Sequence, residues 1–198
     1  MRVNVFDYGA GNLHSLMKSL ERDGASVKIE TDPARAARAD ALVLPGVGAF
    51  GHAASRLLRG LGEMRSALRD GLPCLGICLG MQLLFDSSDE GEGAGLGIFA
   101  GRVRRLEGGR VPQIGWNTIE SGHDPLLDAA PIAVAYYANS FVCRPVDTGC
   151  VHAWSSHGTT RFPALVREGR TVGVQFHPEK SSMAGVDLVR AFLREAAQ

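Results

Sequence analysis

Cys78 stands in Gly76-Ile77-Cys78-Leu79-Gly80, two residues from a glycine on either side. This is the G-x-nucleophile-x-G form of a nucleophile elbow, with sulfur in place of hydroxyl. A sharp strand-to-helix turn crowds the backbone and selects neighbours that lack a Cβ. It also sets the side chain beside a helix N-terminus, whose free N–H groups and positive dipole end favour a thiolate. The competing reading is a small, buried, inert cysteine on a Gly-rich turn. A base elsewhere in the chain weighs against it. Gly173-Val174-Gln175-Phe176-His177-Pro178-Glu179 offers one. Residues 172–176 alternate as a strand does, so His177 falls near a strand end, where catalytic groups often lie. Pro178 biases His177 toward an extended conformation. In an extended segment i and i+2 point the same way, which brings Glu179 to the imidazole. A carboxylate there fixes the ring's tautomer and stabilises the imidazolium, completing a Cys-His-acid triad. Either residue alone reads as an exposed side chain near a turn; with the elbow, the three read as a unit.

The elements that would position these groups alternate along the first half of the chain. Residues 3–6 read as a strand, followed by a turn with Gly9 and Gly11. A helix then carries Leu13, Leu16, Met17 and Leu20 at helical spacing and ends at Gly24. Ser26–Glu30 is a second strand, 33–38 a short helix, and Ala41–Leu44 a third strand, apolar throughout and so buried on both faces. Leu57, Leu58, Leu61, Met64, Ala67 and Leu68 mark one further helix, interrupted by Gly60 and Gly62 and ended by Gly71. The strand 72–77 leads into the elbow, and Leu83-Leu84-Phe85 continues the elbow helix. Alternating strands and helices imply an α/β fold with a mainly parallel central sheet flanked by helices. Active sites of such sheets lie beyond the strands' carboxyl ends, where the elbow and Pro45-Gly46-Val47-Gly48 both fall.

Beyond the elbow the pattern changes. Residues 86–97 are acidic and Gly-rich and read as a mobile loop. Strand-like segments follow at 103–106, 114–119, 132–141, 151–154 and 164–166, separated by turn residues such as Gly108-Gly109 and Gly122-His123-Asp124-Pro125. The C-terminal half therefore adds mixed or antiparallel strands, and 184–197 closes the chain as a helix. The 198 residues suit one domain, 1–198, with no linker or internal repeat. Zero net charge, 21% charged residues and no basic block give no sign of nucleic acid or a membrane surface as partner. The opening residues are too short and polar a run for a signal peptide, and no apolar run approaches ~18 residues. Cys74, Cys78, Cys143 and Cys150 form no C-x-x-C pair, and their irregular spacing makes a poor zinc set. The expectation is a reduced, cytoplasmic protein with no metal and no cofactor.

GICLGMQLLF and GVQFHPEKS resemble the two catalytic blocks of the class I (triad-type) glutamine amidotransferases. Asp7-Tyr8-Gly9-Ala10-Gly11-Asn12, Pro45-Gly46-Val47-Gly48-Ala49-Phe50-Gly51 and Gly115-Trp116-Asn117 narrow the likeness to the glutaminase subunits of imidazole glycerol phosphate synthases, in order along the chain. That resemblance implies Cys78 as nucleophile, His177 as base and Glu179 as its orienting acid. It implies an oxyanion hole from the N–H groups of Leu79, just after the nucleophile, and of Val47. Glutamine contacts would come from Gly48, Gln82, Ser140 and Phe141. Gln82, one helical turn past Cys78, reads equally as an ordinary polar helix residue, and the turn at Val47 as a simple tight turn. A separate cyclase subunit of (β/α)8-barrel type would take the ammonia, with Asn12, Tyr136 and Lys180 at the interface. Two positions depart from the family's usual pattern: Gln113 and Asn139 stand where histidine is common. Anthranilate and aminodeoxychorismate synthase subunits would share the triad, but more often carry His at position 81 and lack the Asp-Tyr-Gly-x-Gly-Asn start. A non-catalytic binding protein on the same scaffold would usually have lost the Cys or the His.

Overall fold

The computed structural model describes residues 1–9, 13–21, 24–120 and 122–198. Its strands are β1 (Arg2–Phe6), β2 (Ser26–Glu30), β3 (Ala41–Leu44), β4 (Cys74–Ile77), β5 (Phe85–Ser88), β6 (Phe99–Arg105), β7 (Gln113–Thr118), β8 (Val134–Asn139), β9 (Phe141–Pro145), β10 (Val151–His157), β11 (Thr160–Glu168) and β12 (Thr171–Val174). Its helices are α1 (His14–Glu21), α2 (Pro33–Ala36), α3 (Phe50–Leu57), α4 (Leu61–Arg69), α5 (Leu79–Leu83), α6 (Pro125–Ala129) and α7 (Ser182–Ala196).

Seven strands make the central sheet in the order β10-β11-β12-β4-β3-β1-β2. The run from β12 to β2 is parallel, and β11 and β10 extend it antiparallel. Every residue of β3, β4 and β12 is buried, as apolar strands covered on both faces must be. The two-residue period sends alternate side chains to opposite cores. Val5, Val43, Leu75 and Ile77 pack with Leu16 and Leu20 of α1 and Leu188 and Phe192 of α7. Phe6, Leu42, Leu44 and Cys74 pack with Phe50 and Leu57 of α3 and Met64 of α4. A three-stranded sheet (β5-β6-β9) and a two-stranded ribbon (β7-β8) complete the fold. Among the described residues no helix is long and apolar enough to cross a membrane.

Five local expectations need correction. The helix read through Leu57 and Leu68 is two helices, because Gly60 leaves helical angles (φ −142°, ψ 23°) after a 3-10 turn. The elbow helix stops at Leu83, and Phe85 opens β5 instead, pairing with Phe99. Residues 86–97 are not a free loop: Gly95 N–H donates to Asp86 O at 2.9 Å and Leu96 N–H to Leu83 O at 2.7 Å. Arg65 Nε donates to the Leu96 carbonyl at 2.6 Å, and Leu96 is fully buried. The apolar run 132–141 breaks at Ser140, since β8 pairs with β7 while β9 crosses to β6. Asp124-Pro125, read as a turn, opens α6: Asp124 Oδ1 accepts the Leu126 N–H at 2.8 Å and Pro125 fills the first helical position.

Candidate active site

β4 ends at Ile77, and the backbone reverses at Cys78 with φ 48° and ψ −102°. Only Cys78 and Ser182 among the described non-glycine residues have positive φ. Such a conformation costs about 1–3 kcal/mol and persists where its surroundings over-determine it. Here Cys78 N–H donates to Val174 O at 2.7 Å, and Gln82 N–H closes the first turn on Cys78 O at 3.1 Å. The flanking glycines answer to close approach. A Cβ on Gly80 would lie 2.0 Å from the Leu44 oxygen, and one on Gly76 would lie 2.8 Å from the Gly80 backbone. The elbow is thus wedged between β3 and its own helix, with Cys78 only 5% exposed.

His177 follows β12 in extended conformation (φ −100°, ψ 96°) and is almost fully buried. Its N–H donates to the Tyr136 carbonyl at 2.8 Å, and its own carbonyl accepts the Ser181 hydroxyl at 2.6 Å. Its ring Nδ1 lies 2.8 Å from Glu179 Oε1. Glu179 reaches it by a route the sequence did not suggest. Pro178–Lys180 is a 3-10 turn, not an extended segment, and the turn folds the carboxylate back over the ring. Burial alone would lower the imidazole's pKa, but hydrogen bonding and charge attraction from Cys78 and Glu179 outweigh it and raise it to about 10. With Nδ1 on Glu179, Nε2 is the nitrogen left for Cys78. The helix after the elbow has only five residues, so its dipole is short; the sulfur also lies 4.0 Å from the Ala138 carbonyl oxygen.

Cys78 and His177 line a cavity of about 290 Å³ together with Val47, Gly48, Leu79, Gln82, Ser140, Phe141 and Lys180. The parallel strands bring the elbow, the turn after β3 and the His177 segment to one edge, and the break between β8 and β9 supplies the facing wall. Gln82 is buried, and its Nε2 lies 3.1 Å from the Phe141 carbonyl and 3.4 Å from Gln175 Oε1. Its carbonyl oxygen is therefore the group left to accept from a ligand. Tyr136 is not among the cavity's lining residues; Lys180 Nζ sits 5.8 Å above its ring, and the half-exposed Trp116 meets that ring edge-on. Asn12 lies outside the described residues.

Three neighbours of the site, Glu90, Tyr8 and Gln175, are not assigned to it by the sequence. Glu90 lines the cavity and accepts the Phe50 N–H at 2.9 Å, anchoring the acidic segment to the start of α3. Tyr8, fully buried, donates its hydroxyl to the Pro45 carbonyl at the base of the Val47 turn. Gln175 Nε2 lies 3.5 Å from Cys78 Sγ. Asn139 lines the cavity and faces Gln113 across the β7–β8 ribbon, so the two departures from the family pattern are one structural pair. Asn139 Nδ2 donates to Phe141 O at 3.1 Å. The other cysteines lack such surroundings: burial pushes the thiols of Cys74, Cys143 and Cys150 up. Among the described residues no group of three His, Cys, Asp or Glu could hold a metal ion.

A cysteine elbow and a His-Glu pair at the carboxyl edge of this sheet define a class-I glutamine amidotransferase, and the family model described as Glutamine amidotransferase class-I matches residues 4–196. Solved structures share the fold: a crystal structure of a glutamine amidotransferase superposes with a TM-score of 0.77 over 99% of both chains at 24% identity. The structure of PurLQS from Thermotoga maritima gives 0.75 over 98% of both chains at 19% identity. Imidazole glycerol phosphate synthase subunit HisH of Synechococcus sp. (strain JA-2-3B'a(2-13)) is 43% identical over 100% of this chain and 94% of its own. The HisH of Synechocystis sp. (strain ATCC 27184 / PCC 6803 / Kazusa) is 40% identical over 98% and 97%. The chain belongs to the class-I glutamine amidotransferases and, within them, to the HisH subunits of imidazole glycerol phosphate synthase.

Proposed function

We propose that this chain is the glutaminase subunit of an imidazole glycerol phosphate synthase, acting in histidine biosynthesis through a Cys78 thioester. The observation that carries this reading is the meeting of Cys78, on its strained elbow, with His177 at one cavity, Glu179 being bonded to the far side of the imidazole. The Cys78 thiolate attacks the carboxamide carbon of glutamine, forming a C–S bond and a tetrahedral oxyanion. His177, as imidazolium, gives its proton to the departing nitrogen; the C–N bond breaks, and ammonia leaves. The neutral imidazole then takes a proton from water, which attacks the thioester. The C–S bond breaks, and glutamate and the thiolate are restored. Glu179 keeps the ring in the tautomer that presents Nε2.

The N–H groups of Leu79 and Val47 are the proposed oxyanion donors, each residue lining the cavity. Gly48, Gln82, Ser140 and Phe141 are the proposed glutamine contacts, with Gln82 accepting through its carbonyl oxygen. A separate cyclase subunit, a (β/α)8 barrel, would dock over the cavity mouth near Tyr136 and Lys180 and receive ammonia out of contact with water, with Asn12 a further interface candidate. The exposed Trp116 and Ile114 on the β7–β8 ribbon support an apolar partner there. A family match over 4–196 supports reading residues 1–198 as one glutamine amidotransferase domain. Four free cysteines and biosynthetic relatives favour the cytoplasm. The test is Cys78→Ala in the assembled synthase: glutamine-dependent synthesis should be lost and ammonia-dependent synthesis kept. Cys74→Ala, Cys143→Ala and Cys150→Ala should each stay within a few-fold of the parent. Loss in one of those three, with Cys78→Ala unaffected, would refute the assignment.

A further inference from the structure

We infer that the side-chain amide of Gln175 is a second polar partner of the nucleophile, donating to the Cys78 sulfur in a direction set by Gln82. The inference rests on the reading of Cys78 as nucleophile and adds a residue to its machinery. Gln175 follows Val174, the last residue of β12, whose carbonyl accepts the Cys78 N–H at 2.7 Å. The two residues are therefore neighbours as soon as β12 pairs with β4. Gln175 is fully buried, its own N–H bonded to Ala164 O at 3.0 Å. Its Nε2 lies 3.5 Å from Cys78 Sγ and its Oε1 3.4 Å from Gln82 Nε2, which in turn lies 3.1 Å from the Phe141 carbonyl.

These contacts can run in one direction only. A backbone carbonyl only accepts, so Phe141 turns the NH2 of Gln82 toward itself. Gln82 then offers its second N–H to Gln175, which must answer with its oxygen. The NH2 of Gln175 is thereby left pointing at sulfur. A donor favours the ionised over the neutral partner, because hydrogen bonds to charged groups are the stronger. His177 gives up its proton to the leaving nitrogen during the reaction, whereas an amide keeps both of its own. Gln175 can thus donate to the sulfur when the thioester breaks and the thiolate departs, beside an imidazole that the attacking water has recharged. Gln82 lines the glutamine cavity, so the same chain of contacts links the substrate's site to the attacking atom.

The test uses Gln175→Met, which keeps length but removes the donor, and Gln175→Glu, which keeps shape but offers a carboxylate. Both are made in a Cys150→Ala background and assayed with the synthase partner bound. The first readout is the rate of Cys78 alkylation by iodoacetamide at neutral pH, located by peptide mapping. Loss of a charge-assisted bond predicts a slowing of about tenfold in the Met variant and about a hundredfold in the Glu variant. The second is turnover: kcat should fall in the same order while KM for glutamine stays within about twofold. Alkylation of both variants at the parent's rate overturns the proposal. So does equal slowing of both with a lowered melting temperature, which would make Gln175 a packing residue. Retention of glutamine use by Cys78→Ala would instead sink the functional reading, and alkylation rates cannot mimic that outcome.

Discussion

Gly46→Ala tests whether the spacing of base and nucleophile limits the reaction. A Cβ at position 46 would stand 2.8 Å from His177 Cε1, 3.0 Å from Ile77 Cγ2 and 3.1 Å from Cys78 Cβ. Ordinary contact begins near 3.4 Å, so the imidazole is overlapped by about 0.6 Å (3.4 − 2.8). Moving the new methyl away from the ring drives it onto Ile77 or Cys78, both almost fully buried. The ring cannot swing freely either, being tied to Glu179 at 2.8 Å and, through its backbone, to Tyr136 at 2.8 Å. The shift is therefore shared, and the imidazole moves by several tenths of an ångström against sulfur. A misplacement of about 1 Å costs on the order of a hundredfold in rate. The expected loss is therefore about ten- to a hundredfold in kcat, or about 1.4–2.7 kcal/mol on the barrier. Overpacking should cost about 1–3 kcal/mol of stability, small enough to leave a folded chain. The assay is glutamine turnover in the assembled synthase, with ammonia-dependent synthesis as control and urea midpoints for stability. A kcat within twofold of the parent, at a measurable cost in stability, would refute the reasoning.

The remaining predictions address coupling, a surface position and the buried charges. Cys78→Ala with His177→Asn should be no slower than the slower single variant, because the two act as one unit; additive losses above background would show independent roles. Gly62→Ala, in α4 where an added Cβ meets nothing within 4 Å, should raise stability by about 0.4–1 kcal/mol, and a lower urea midpoint would count against it. Asp124 is pushed up by burial, but bonds from Arg167 at 2.7 and 2.9 Å and from Leu126 N–H outweigh this and hold its carboxyl below the usual 3.8. A depressed carboxylate stabilises above its ordinary pKa and stops doing so as pH falls through the lower, folded value. Asp124→Asn should therefore cost about 3 kcal/mol at pH 7 and lose less on acidification below pH 4 than the parent does; parallel acid profiles would contradict it.

What could be read in advance was what is settled locally. The glycines around Cys78 answer to contacts within the elbow and with the strand beside it, and their spacing shows in five residues. The parallel core strands were visible because Ala41–Leu44 is apolar at every position and buried on both faces. Glu179 was correctly paired with the ring, yet for the wrong backbone reason, since a Pro-led 3-10 turn and an extended dipeptide both return residue i+2 to residue i. Gln175 escaped because its partner is set by the pairing of β12 with β4, which no local window contains; its one sequence signal is its place in the strand that leads to His177. The acidic stretch 86–97 looked unstructured because its stabilisation comes from backbone bonds to Leu83 and Asp86 and from Arg65, with Leu96 the single apolar hint. Asp124-Pro125 carries the same two residues a turn would use, and only the four helical residues that follow distinguish a capped helix.

The site owes its geometry to strand adjacency more than to long loops. β12, β4 and β3 lie side by side, with Val174 opposite Ile77 and Leu44 opposite Gly76. Because the three are parallel, the chain leaves all of them at the same edge. The residues next in line are Gln175, Cys78 and Pro45, the starts of the base segment, the elbow and the Val47 turn. A slip of one residue in either pairing would turn these side chains to the opposite face, so register and reactivity cannot be separated. The same Cys78 N–H···O=C Val174 bond closes the sheet and fixes the elbow. The opposite wall is built differently. Ser140 and Phe141 sit where the chain passes from the β7–β8 ribbon to the β5-β6-β9 sheet, neither of which belongs to the central sheet. One half of the cavity is thus set by the most buried strands of the fold, and the other by strands that can shift without breaking a single bond of the β3–β4–β12 ladder. Two bonds join the halves, His177 N–H to Tyr136 O at 2.8 Å and Gln82 Nε2 to Phe141 O at 3.1 Å, so a shift of that second wall is felt at the base and at the elbow helix.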